Sequence, residues 1–173
     1  MKTTVIYTIA FFIFWLTGMK CEKSREQANE ALPEATREGK NTFGFSLNGE
    51  VWIPKGALLE RKLDLSYDPN YNGGAMSIIA ERNISNEDEQ FLSIGGIGIN
   101  KIGTYNFTSA MKHVYYNDRN CVYNDNTTIT GSITITRLDL AAKIISGTFS
   151  FKLEKNGCPT INATDGRFDM RIE

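Results

Sequence analysis

The sequence predicts an all-β domain, either an antiparallel sandwich or a partly open barrel of about nine or ten short strands. Three observations point there. Ile129, Ile133 and Ile135 alternate with Thr128, Thr130, Thr134 and Thr136, and Ile145, Phe149, Phe151 and Leu153 alternate with Ser146, Thr148, Ser150 and Lys152. A period of two places one face on a core and the other in water, as in antiparallel sheets. The Asn48-Gly49 pair between two apolar runs supplies the two φ > 0 residues of a type I′ hairpin turn. No long stretch keeps an apolar period of 3.6, whereas the 15 Gly residues and recurrent Thr and Asn suit strands and turns.

The elements follow in order. Phe43–Leu47 and Glu50–Pro54 form the Asn-Gly hairpin, in a register that sets Phe45 opposite Trp52 as an aromatic pair on one buried face. Met76–Ala80 and Phe91–Ile99 are apolar runs bounded by polar turns, and Thr104–Phe107 reads as a further strand. Residues Leu138–Lys143 join the two strongly periodic strands. In the last segment Ile161 and Ala163 are odd while Phe168, Met170 and Ile172 are even, so the phase flips at Asp165-Gly166. A tight hairpin or a bulge would do this; the length of Ile145–Leu153, which needs a long partner, favours the bulge.

The N-terminus sets the address. After Met1-Lys2-Thr3-Thr4, Val5–Leu16 is a twelve-residue apolar run. That matches the core of an export signal and falls short of the ~20 residues that span a bilayer; an uncleaved anchor is the competing reading. Ordinary signal peptidase needs small residues at −3 and −1, and no such pair is well placed. The alternative is lipoprotein processing at Cys21, although Lys20 departs from the small residue expected there. Glu22–Asn41 is polar and charged, a flexible tether of about twenty residues with a reach on the order of 25 Å.

Leu32-Pro33-Glu34-Ala35-Thr36, Gly39–Gly44 and Asn48–Pro54, with Ile145–Phe151 and Thr164–Asp169 near the end, resemble a Bacteroidetes-type family of small envelope lipoproteins of unknown function. The resemblance implies a lipidated Cys, a polar tether and one β domain, with no known activity. The expected organisation is a signal peptide over 1–20, a lipid-attached tether over 21–41 and one all-β domain over 42–173. Cys21 is the expected lipidation site, placing the protein in the cell envelope, at the outer membrane. With Cys21 assigned to lipid, two cysteines remain, and an exported chain permits a Cys121–Cys158 disulfide. The expected function is a non-catalytic binding or structural module. The alternatives are an envelope glycan-binding protein or glycan hydrolase, and a soluble exported β-protein without lipid.

Composition excludes several classes. The chain carries 19 Lys+Arg and 20 Asp+Glu, a net −1, and loss of Lys2 and Lys20 with the leader makes it −3. Nucleic-acid binders show a clustered basic excess instead. The expected partners are the membrane, through the lipid, and a glycan or an envelope protein, with no nucleic acid. His113 is the sole histidine, and no G-x-S-x-G elbow accompanies it, so no catalytic residue is assigned. Three Cys and one His at these spacings make no zinc set. Asp68–Gly73 resembles the first half of a calcium loop, yet Ile79 stands where a bidentate Glu should close it. Gly95-Gly96-Ile97-Gly98 lacks the following helix of a dinucleotide site, and its glycines read as relief of crowding. No metal and no cofactor are expected. Sequons at Asn83, Asn106, Asn126 and Asn162 matter only in a eukaryotic secretory setting. The candidate ligand surface is Tyr115, Tyr116, Asn117 and Asp118, joined by Tyr123, Asn124 and Asp125. Aromatic rings stack on sugar faces, and amides and carboxylates bond sugar hydroxyls.

Overall fold

The computed structural model describes residues 30–56, 62–85, 88–107, 112–124 and 126–173. Among them are eleven strands: β1 (Thr42–Leu47), β2 (Glu50–Trp52), β3 (Leu63–Asp68), β4 (Ala75–Ser85), β5 (Asp88–Ile97), β6 (Gly103–Asn106), β7 (Lys112–Asn117), β8 (Val122–Tyr123), β9 (Thr128–Asp139), β10 (Ile144–Glu154) and β11 (Ile161–Arg171). They form a six-stranded sheet, β2-β1-β11-β10-β9-β6, and a five-stranded sheet, β3-β4-β5-β7-β8. All ladders between them are antiparallel and neither sheet closes, so the domain is a sandwich and not a barrel.

The Asn-Gly hairpin forms as its chemistry dictates. Asn48 and Gly49 take φ of 50° and 93°, and Phe45 pairs with Trp52. Their rings, 4.9 Å apart, join Phe43, Phe149 and Phe151 in one aromatic cluster between the sheets. Each such pair adds about 0.5–1.5 kcal/mol beyond area burial. From the five-stranded sheet, Ile78, Ala80, Leu92 and Ile94 complete this core at essentially zero exposure. Trp52 Nε1 donates to Gln90 Oε1, and Arg82, buried on β4, donates to Ile53 O, so polar bonds also tie the two sheets together.

The phase flip near the end is a bulge. β11 runs unbroken, and its register with β10 passes from Phe149↔Gly166 to Phe151↔Ala163, one extra residue on β11. Asp165 sits at φ 54°, and a Cβ on Gly166 would lie 2.5 Å from the Phe149 ring and carbonyl. The bulge therefore needs a residue tolerant of φ > 0 followed by one with no side chain.

The packed body starts before β1. Residues 31–41, expected as the distal part of a tether, form a strap on the outer face of the six-stranded sheet. Arg137 Nη1 donates to Arg37 O, and Arg167 Nη1 donates to Pro33 O. The clasp is Asp169, a β11 carboxylate with 1% exposure. It accepts from Thr36 Oγ1 and from the backbone N–H of Glu38, Gly39 and Lys40, while Ser146 Oγ donates from beneath. Burial works to raise its pKa. The hydrogen bonds from Thr36, Glu38, Ser146 and Gly39 outweigh that and hold it well below the usual carboxylate range. Cys21 and the rest of the expected leader and tether, residues 1–29, lie outside the described residues.

Candidate functional site

The two sheets turn different chemistry to solvent. On the six-stranded sheet the outward positions of β9 and β10 are Thr130, Ser132 and Thr134, then Thr148, Ser150 and Lys152. A depression of about 380 Å³ there is lined by hydroxyls and by Arg167, whose guanidinium already serves Asp165 O and Pro33 O. The five-stranded sheet differs. Its strand alternation and register stack three outward rows: Glu81–Phe91–Asn117, Ile79–Ser93–Tyr115 and Ser77–Gly95–His113. Ile79, Phe91 and Tyr115 are half-buried on this solvent-facing surface.

In these rows Phe91 and Tyr115 form a diagonal aromatic pair with ring centroids 5.7 Å apart at 78°. Ser93 Oγ lies 3.1 Å from His113 Nε2. The His113 ring is open on one side, and burial of the remainder pushes its pKa down, so it favours the neutral form. A Ser–His nucleophile also needs an acid on the other ring nitrogen; what this geometry offers is a hydrogen-bonding pair. Gly95 lies below it because a Cβ there would sit 2.0 Å from Met76 O, which keeps the floor of the face low. A depression of about 300 Å³ flanks the aromatic pair at each end. One involves Glu81, Asn83, Glu89, Asn117 and Arg119, the other Ser66, Asp68, Ser77, Ile97 and His113. Asp68 Oδ1 accepts from Asn70 N, and Asn72 and Gly73 take positive φ, so the calcium-like stretch is a turn.

A roomier cleft, about 830 Å³, opens beside β1, β3 and the end of β11, over Phe43, Ile53, Leu65 and Met170. Of its charged residues Lys62, Asp64, Arg171 and Glu173, Lys62, Asp64 and Glu173 already have partners. No group of three or more His, Cys, Asp or Glu side chains gathers into a cation site among the described residues.

The candidate surface read from the sequence is dispersed. Tyr116 and Tyr123 are core residues at 1% and 0% exposure, with ring centroids 5.9 Å apart, and Tyr123 donates its hydroxyl to Pro159 O. They are corrected from ligand surface to core. Asp118 Oδ1 accepts from Asn120 N and Cys121 N and Asn117 Oδ1 from Arg119 N, so both shape the β7–β8 turn. Asn124 accepts from Lys155 Nζ, and Asp125 lies outside the described residues. Tyr115 and Asn117 alone project onto the outer face. Phe91, Ser93 and His113 were missed, and alternation would have found them: His113, Tyr115 and Asn117 share a parity opposite to Val114 and Tyr116.

Cys121 and Cys158 form a disulfide, with Cα atoms 5.9 Å apart and a sequence separation of 37. It joins the β7–β8 turn of one sheet to the β10–β11 turn of the other. Such a cross-link is the mark of an extracytoplasmic domain. A family model described as a domain of unknown function, DUF6252, matches residues 70–170, more than half of the chain. The chain belongs to the DUF6252 family. No curated protein and no solved structure matches it. The DUF6252 match takes in the outer face of β4, β5 and β7, the disulfide and Asp169. It leaves out the strap and β1–β3, which nonetheless pair with or bond to the matched strands.

Proposed function

We propose that this chain is an exported, lipid-anchored protein of the cell envelope, held at the outer membrane. Its sandwich acts as a non-catalytic binding module that offers the outer face of the five-stranded sheet to a ligand. The observation that carries the binding role is the contrast between the two outer faces. Rings and a Ser–His pair flanked by two depressions occupy one; Thr, Ser and Lys occupy the other, and the strap lies across it. The strap also brings the chain into the body on the six-stranded side, leaving the proposed face opposite it.

The anchor rests on the apolar run ending at Leu16, on Cys21 just after it, and on the short interval before the body begins at Ala31. One acyl chain binds membrane only marginally, so stable attachment needs the several chains of a lipoprotein. Cells fed a fatty-acid analogue should label the wild-type protein, while a Cys21→Ser variant takes up no label and moves to the soluble fraction. Equal labelling of both would remove Cys21 as the attachment site.

The face is tested by a photo-crosslinking aromatic residue placed at position 115 in the producing cell, with position 148 on the opposite face as control. An adduct at 115 and none at 148 is the expected result. Adducts only at 148, or at neither position, would contradict the assignment of the face.

A further inference from the structure

We propose that the outer face of the five-stranded sheet binds a neutral glycan chain laid along β5, with the edge-to-face pair of Phe91 and Tyr115 supplying the ring face on which it stacks. This rests on the reading of that face as the ligand surface and goes on to name the ligand class. The two depressions lie at opposite ends of the aromatic pair along β5, one beside Glu89–Phe91 and one beside Gly96–Ile97. From Glu89 to Ile97 the strand covers roughly 26 Å, so the face suits an extended chain better than a compact molecule.

Its chemistry alternates as a sugar chain requires. Aromatic faces accept the axial C–H groups of a pyranose, and around them Asn83, Asn117 and the Ser93–His113 pair offer hydroxyl-bonding groups on both sides of the rings. A protein partner would need a continuous apolar centre depleted of charge. Here Ser77, Ser93 and Gly95 separate Ile79 from His113 and Ile97, and the row through Phe91 ends in the Glu81 carboxylate.

Charge selects within the glycans. Asp68, Glu81 and Glu89 lie on outward positions of this face, with Arg119 at its rim. Burial keeps His113 from adding a counter-charge near neutral pH. An excess of carboxylates repels uronic-acid, sulfated and phosphate-bearing chains. Glu81 and Glu89 can instead accept hydrogen bonds from the hydroxyls of an uncharged chain.

The test is titration calorimetry on the full-length protein in a sugar-free detergent. The neutral probes are oligosaccharides of β-glucan, xylan and chitin, and the acidic probe is polygalacturonate. The expected result is saturable binding of a neutral probe, weakened at least tenfold by Tyr115→Ala, retained by Tyr115→Phe and unaffected by Thr148→Ala. Thermal unfolding of each variant separates loss of the platform from loss of the fold. Binding of polygalacturonate alone, or neutral binding that survives Tyr115→Ala, would overturn the proposal. If no glycan binds while position 115 crosslinks to a protein, the glycan is wrong and the face stands. If neither occurs, both readings fall.

Discussion

Replacing Asp169 by Asn is expected to lower the stability of the domain by about 3 kcal/mol, a drop in Tm of roughly 10 °C for a body of this size. The carboxylate accepts from three backbone N–H groups and two hydroxyls at a site with 1% exposure. An amide keeps one acceptor oxygen and turns an NH₂ toward the remaining donors, so buried donors lose their partners. The strap should loosen with it. Trypsin should then cut after Arg37 and Lys40 in the variant under conditions that leave the wild type intact there. The pH dependence has a definite sign. The folded-state pKa of Asp169 is depressed, so its contribution is fully present above the unfolded value near 3.9 and is lost as pH falls below it. Urea midpoints of the two proteins should differ most at neutral pH and converge in acid. A gap that stays constant down to pH 2 would show that the carboxylate's charge is not what holds the strap.

Removing the disulfide with Cys121→Ser and Cys158→Ser together should cost roughly 3–4 kcal/mol, from the entropy regained by an unfolded chain freed of that loop. The local effect should centre on the β7–β8 turn and the β10–β11 turn, where Tyr123 bonds Pro159 O and Lys155 bonds Val122 O. Those contacts should hold the sheets together after the covalent bond is gone, so the variant folds with a lower denaturant midpoint and an unchanged slope. Thiol titration of unfolded wild-type protein taken from the cell should find neither Cys121 nor Cys158 free. Asp169 lies near the end of β11 and Cys158 in the turn that precedes its start, with the roughly 26 Å of strand from Ile161 to Asp169 between them, and they share no partner. Combining the substitutions should give additive losses within about 0.5 kcal/mol; a combined loss well below the sum would mean that strap and disulfide support one another.

Local chemistry made most of the fold legible. The Asn48-Gly49 turn, the Phe45–Trp52 pair, the alternation of β9 and β10 and the bulge at Asp165-Gly166 each depend on a few neighbouring residues, and each is found where expected. The strap was not legible. Leu32–Lys40 has a tether's composition, and it is fixed only because Asp169, about 130 residues away, is aimed outward from β11 beneath it. The candidate site failed in part for a related reason. Tyr115, Tyr116 and Asn117 were read as one patch, but β7 is a strand, and neighbouring residues on a strand face opposite ways. Phe91 and Tyr115 are 24 positions apart, and only the β5–β7 ladder makes them neighbours on one face.

By itself, then, the sequence determined what depends on short range: the strand period, the turn types, the export-like apolar run before Cys21, and a cysteine pair left to be oxidised. Sandwich or barrel, the order β3-β4-β5-β7-β8, and which of two polar-looking faces carries rings were decided by tertiary structure alone. The physical reason is that alternation says which residues share a face of a strand. Which strands lie side by side, and what chemistry their rows assemble, depends on pairing between distant segments, and that pairing is chosen by the burial of the whole core at once.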